Sequence, residues 1–273
     1  MLRVRDSLFY SFRGLSPSTR LRKHEAEART LIKKKTIRFV YQLQSILLQT
    51  IDHLHELYNP FYFWGILLIA NVIMFLCTIL ISYLWSSFYR HQKLPIEKKD
   101  VTLSIAIMVI NVLVAIPGYL LFINSNITFT DTNLIRDFVL LFVVVDFVMY
   151  IFHYASHYVW PFTLAHEKHH EHYSFNEISL YVMHPLEAIL FGGILTLLPL
   201  IISLNFYSFI FFLFFNWLIG VVSHLNTSSN TRVVLFGNNI FHRNHHEYSK
   251  YNFGFYTVIW DRIFGTYYSA DRN

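Results

Sequence analysis

Three stretches of this chain carry no charged side chain: 57–89, 101–130 and 188–222. Each is longer than the ~20 residues that cross a bilayer as a helix. A soluble helical core needs helices with one polar face, and these runs are apolar all round. Charged residues make up 14% of the sequence, against about 25% for an ordinary soluble domain. The enrichment in Phe and Tyr suits lipid-facing and interfacial positions. The expected fold class is all-α, an integral membrane bundle of four to five membrane helices.

The spans fall at about Phe61–Ser86, Val101–Phe122 and Leu134–His157. The run 188–222 is too long for one crossing, since as a straight helix it would reach roughly 50 Å against a hydrocarbon core of ~30 Å. Pro199 and Asn205 lie mid-run, where the chain can reverse, so a two-helix hairpin is expected. The hairpin returns the chain to the side it left. Three regions follow: a basic and amphipathic segment 1–60, a membrane hairpin 61–133, and a histidine-rich region 134–273. No internal repeat or low-complexity linker interrupts them.

Residues 1–39 are basic and start without the apolar core of a secretory signal. Their Arg- and Ser-rich start is similar to a mitochondrial presequence, but Asp6 counts against that. A surface segment drawn to anionic lipid is the expectation, with residues 37–58 amphipathic at the interface. The loop 87–102 holds Arg90, Lys93, Lys98 and Lys99, whereas 124–135 holds no basic residue. By the positive-inside rule the first loop is cytosolic, and the third span then ends in the cytosol. A strict three-span count leaves the basic N-terminus outside; crossing or re-entry by 37–60 would bring it back. Cys77 is the only cysteine, which excludes an intrachain disulfide and a thiolate metal cluster.

Ten histidines form a patterned series. They are His153 and His157 in an HxxxH, His166, His169 and His170 in an HxxHH, and His242, His245 and His246 in a second HxxHH. His184, in His184-Pro185-Leu186-Glu187, and His224 stand singly between them. Neutral imidazole is the commonest protein ligand for a metal, and residues three and four apart share a helix face. Each box is therefore expected to aim its rings at a single point. Ten rings exceed one four-coordinate zinc and suit two metal ions. With the hairpin, all ten can meet at one membrane face, as a cytosolic histidine-rich cap. His24, His53, His55 and His91 lie outside the pattern, and His172 faces away from its box.

Asp146, Tyr150, His153 and His157 form one stripe, and a carboxylate in a membrane helix is costly and usually functional. Asp146 and Asp261 are expected within hydrogen-bond reach of ligand histidines, as metal-bound imidazoles usually have a carboxylate or carbonyl behind them. Glu187, on the face of His184, is a third candidate. Asn252 is either a donor near a metal-bound water or a turn residue. Two rival readings exist. His166-Glu167-Lys168-His169-His170 formally contains HExxH, the zinc protease motif, yet that leaves most of the other histidines without a task. A metal transporter would hold its site near the membrane midplane on broken helices, whereas these histidines cluster at helix ends.

The order HxxxH, HxxHH, HPxE, single His, HxxHH, followed by Tyr251-Asn252-Phe253-Gly254 and Trp260-Asp261-Arg262-Ile263-Phe264-Gly265-Thr266, closely resembles the fatty acid hydroxylase and sterol desaturase superfamily. The resemblance covers about residues 134–270. It implies a membrane enzyme holding two irons that uses O2 and electrons to hydroxylate or desaturate a lipid C–H. It also implies a multi-pass protein of the endoplasmic reticulum in a eukaryote, a lipid substrate drawn from the bilayer, and no nucleic-acid partner. No appended haem domain is recognisable, so the expected electron donor is a separate protein such as cytochrome b5 with its reductase, or a ferredoxin.

Overall fold

In the computed structural model, the uncharged runs are mostly helical. The structure describes residues 27, 29–35, 37–38, 53–89, 93–229 and 232–268. In the unit Met1–Leu57, residues 29–35 are helical and exposed. The expectations for 1–26 and for most of 37–58 lie outside the described residues. The unit Tyr58–Asn273 holds everything that follows.

Helix α1 is Pro60–Tyr89. Helix α2, Lys98–Leu113, is followed almost directly by α3, Ile116–Ile123. Pro117 has no N–H to continue the ladder of α2, and it sits in the first turn of α3, where none is needed. Helix α4, Leu134–Tyr158, leads into the short α5, Phe162–His170. The long apolar run is a hairpin, with α6 over Pro185–Ile201 and α7 over Phe206–Ser223. The reversal falls just after Pro199, and Asn205 caps α7 by accepting from the Ser208 N–H. Two short helices close the chain, α8 (Asn239–Tyr248) and α9 (Ile259–Phe264). α1, the α2–α3 pair and α7 are each long and apolar enough to cross a membrane; α6 is apolar but shorter.

One end of the bundle is tied by a two-residue parallel pairing, β1 (Phe129–Thr130) with β2 (Leu204–Asn205) at the hairpin tip. There the Asp137 carboxylate accepts from the Asn205 N–H at 2.7 Å. From Asp137 a stripe with a spacing of four runs the length of α4: Leu141, Val145, Met149, His153, His157. Its apolar members pack on Phe212 of α7, Leu204 and Tyr256. The stripe leads from the hairpin tip to the opposite end, where the histidines gather. At that end the Trp85 indole N–H of α1 donates to the Asn226 carbonyl just beyond α7.

A candidate metal centre of two histidine groups

The histidines separate into two groups. One holds His153, His157, His166, His170 and His245; the other holds His169, His224, His242 and His246. Within each group the facing ring nitrogens lie within 4.8 Å of one another. The two HxxHH boxes are crossed between them. On α5, His166 and His170 serve the five-membered group and His169 the other. On α8, His242 and His246 serve the four-membered group and His245 the other. The expectation that each box aims at one point is corrected here. At 100° per residue, positions i+3 and i+4 diverge by about 100° around the helix, so one box can face two neighbouring points.

The ring nitrogens that face each other are Nε2 atoms. In the five-membered group His153 and His166 are 3.1 Å apart, His166 and His170 3.2 Å, His170 and His245 3.0 Å, and His245 and His157 3.1 Å. In the other, His242 and His246 are 3.1 Å apart and His169 and His224 3.4 Å. A metal–nitrogen bond of about 2.1 Å separates neighbouring ligand nitrogens by about 3.0 Å at right angles and about 3.4 Å at tetrahedral angles. The observed distances fall in that interval, so the residues present fit a metal ion in each group.

The protons support this. His153 Nδ1 donates to the Phe253 carbonyl at 2.8 Å, His245 Nδ1 to the Tyr251 carbonyl at 2.7 Å, and His224 Nδ1 to the Gly220 carbonyl at 2.8 Å. A carbonyl only accepts, so each of these rings carries its proton on Nδ1 and turns an Nε2 lone pair inward. His166 Nδ1 is bound to Glu187 Oε1 at 2.9 Å, with the same consequence. Burial holds His169, His242, His245 and His246 well below the ordinary imidazole pKa, and takes His170 to about 3 and His224 to about 4. These rings stay neutral at pH 7. Neutral lone pairs crowded this closely repel one another unless a cation lies between them.

His184 is not brought to either group. It is exposed, and its Nδ1 caps α6 by accepting from the Leu186 N–H at 3.1 Å. Pro185 at the first helical position makes His184 the capping residue, and that signal was present in the sequence. His172 lies outside both groups, buried against Ser179 Oγ at 2.7 Å.

The two aspartates are also corrected: neither touches a histidine. Asp146 accepts from the Tyr256 and Thr257 N–H groups, the Thr257 hydroxyl and the Trp260 indole. Asp261 accepts from the Phe253 and Gly254 N–H groups and the Thr266 hydroxyl. Burial pushes Asp261 up to about 6, although those three donors favour its charge. Asn252 takes the turn role, at φ 61°, receiving the Tyr268 N–H and donating to the Phe241 carbonyl. Together they pin residues 251–258, whose carbonyls at 251 and 253 fix His245 and His153. Gly254 is obligatory there, since a Cβ would lie 2.3 Å from the Thr257 carbonyl oxygen.

Two phenylalanines not singled out from the sequence wall the groups. Phe253 lies with its ring centroid 5.3–5.7 Å from those of His153, His157 and His245. Phe175 lies 4.9–6.0 Å from those of His224, His242 and His246. Both are essentially without exposed surface and keep water off one side of each group.

Residues 138–266 match the family described as Fatty acid hydroxylase. That region belongs to the fatty acid hydroxylase/sterol desaturase superfamily. Among relatives, the Delta(7)-sterol 5(6)-desaturase of Candida glabrata is 23% identical over 76% of this chain, and that of Saccharomyces cerevisiae 24% over 76%. The corresponding protein of Candida albicans is 26% identical over 67% of this chain and 49% of its own length. The chain spans 60% of the length of the first two relatives. No solved structure matches it. Every histidine of the two groups falls inside the matched region of the superfamily.

Proposed function

We propose that this chain is a membrane di-iron oxidoreductase that desaturates a sterol-class lipid. The observation that carries the reading is the pair of adjacent, all-nitrogen histidine groups built from crossed boxes. The relatives, by name sterol desaturases, favour desaturation over hydroxylation and a sterol over other lipids.

When bound, two irons would supply the oxidising power that an unactivated C–H bond demands, the kind of hard step that proteins leave to a cofactor. In the overall balance one O2, two electrons and two protons remove two hydrogens from the lipid and leave as two waters. The electrons come from a separate donor protein such as cytochrome b5 with its reductase.

The chain's own residues have distinct tasks. Nine histidines hold the metals. Carbonyls of Gly220, Tyr251 and Phe253, with Glu187, fix four of the rings as Nδ1–H tautomers. Phe175 and Phe253 exclude water. Lys93, Lys98 and Lys99 lie at the histidine end of the bundle, which by the positive-inside rule faces the cytosol, on the endoplasmic reticulum in a eukaryote.

The protease reading loses its base, because Glu167 is exposed on α5 rather than turned to the histidines. The test is a sterol assay with purified protein, O2 and an electron donor system. A product lighter by two hydrogens is expected. A product heavier by one oxygen would overturn desaturation, and no O2-dependent product from any sterol would overturn the substrate class.

A further inference from the structure

A cleft of about 780 Å³ opens between α1 and α2 at the histidine end of the bundle, within the usual range for small-molecule sites. Phe75, Ile79 and Tyr83 of α1 line one side, four residues apart on one face, and Val101 and Ile105 of α2 the other. Tyr83 and Ile105 are exposed, so the cleft opens on the surface these apolar helices turn to lipid. Its inner end is polar. Glu177 lies there, its side chain 7% exposed and paired through Oε1 with Lys93. Glu177 Oε2 is buried and meets no donor among the described residues. A buried acceptor left unsatisfied is costly, so this atom calls for a ligand that donates a hydrogen bond.

The pair also restricts which ligand. A phosphate would face the Glu177 carboxylate, and a quaternary ammonium would face Lys93. A neutral hydroxyl suits both, since it donates to Glu177 Oε2 and accepts from Lys93 Nζ. The segment that carries Glu177 is also tied to the wall of the metal centre. Leu94 N–H donates to the Ser174 carbonyl, and Asn226 holds the backbone of Phe175 through both its N–H and its carbonyl. Phe175, two residues before Glu177, is the wall of the four-histidine group.

We propose that this cleft seats the hydroxyl-bearing end of a lipid, with the hydroxyl on Glu177 and the hydrocarbon against α1 and α2. The inference rests on the lipid reading above and narrows it to lipids with a free hydroxyl. A sterol fits, because its carbon-3 hydroxyl and carbon 5 belong to the same ring. A group that recognises the hydroxyl must then lie near the metals, and Glu177 is two residues along the chain from Phe175, which packs on the four-histidine group.

The test uses the full chain in phosphatidylcholine nanodiscs without reductant, so that no turnover occurs. The probe is a ring-diazirine cholesterol with a free 3-hydroxyl, compared with its 3-acetate, and metal content is measured on the same samples. The free sterol is expected to label Phe75–Tyr83 or Val101–Ile105. The acetate should label about 10-fold less, as should Glu177→Leu, in keeping with loss of a hydrogen bond to a charged group. Ile105→Trp fills the cleft from the lipid side without touching the ion pair and should also abolish labelling, which guards against misfolding of the Glu177 variant. Equal labelling by sterol and acetate, or labelling confined to other helices, overturns the proposal. Two metals per chain without cleft labelling defeats this proposal alone; cleft labelling without metal defeats the di-iron reading alone.

Discussion

His153 and His166 point their Nε2 atoms at each other across 3.1 Å, while each ring's Nδ1 proton is committed elsewhere, to the Phe253 carbonyl and to Glu187. Neither nitrogen has a proton to offer the other. A pair of lone pairs in this arrangement is a cation site in waiting.

The crossing of the boxes gives a test that adjacent residues can decide. His245→Ala removes a ligand from the five-membered group and His246→Ala from the four-membered group. Each is expected to lower bound metal from two toward one per chain and to abolish turnover. Membrane insertion should be intact, because it depends on the apolar runs. Mass-spectrometric metal counting on the two purified variants checks this. Loss of both metals in one variant and none in the other would sink the crossed assignment.

Glu187 is expected to act as the positioning partner of His166. Glu187→Ala should weaken metal retention by about 10- to 100-fold, the usual cost of losing such a partner. Glu187→Gln keeps an acceptor oxygen and should recover much of that loss. Competition with a chelator reads both variants, and equal behaviour of Ala and Gln would leave Glu187 with no orienting role.

Asp146 and Gly254 should affect stability. Asp146→Ala strands four donors, from Tyr256, Thr257 and Trp260, at about 1–3 kcal/mol for each one left buried and unsatisfied. Gly254→Ala forces a Cβ against the Thr257 carbonyl and the Asp261 carboxylate. Both should lower the melting temperature by several degrees or more. Thermal unfolding of the metal-loaded variants measures it, and unchanged melting in both would contradict the structural role.

The metal-free protein should be acid-sensitive. The buried histidines have pKa values depressed below their unfolded value of about 6.5, with His170 at about 3 and His224 at about 4. The folded state therefore binds fewer protons than the unfolded state between those limits. The histidines' contribution to stability is full above about pH 6.5 and falls as pH drops toward 4; Asp261, raised to about 6, opposes it as a single group against several. Denaturant titrations of chelated protein at pH 7.5 and pH 5 should show the lower midpoint at pH 5. An equal or higher midpoint at pH 5 would contradict the burial of these rings as neutral bases.

Much of this was legible in the sequence, for physical reasons. Run length alone required the hairpin, because 35 uncharged residues (188–222) exceed one crossing, and α6 and α7 follow. The box histidines announced a metal by spacing. Their division between two groups did not show, because a one-dimensional pattern does not say which of two nearby points each ring of a box faces. The aspartates misled for a simpler reason. Asp146 lies seven residues before His153, about 10 Å along the helix axis, too far for a hydrogen bond between them. The role of Glu187 is hidden in the sequence because its partner, His166, is 21 residues away and meets it only through packing of α5 on α6. Phe175 and Phe253 carry no chemical signature, so only the fold shows them as walls.

The central claim is that two neighbouring histidine groups each hold an iron. Iron counting on purified, folded, iron-supplied protein tests it most directly. Two irons per chain are expected on the proposed reading. One iron or none in protein that retains its helical content and melting transition would contradict it.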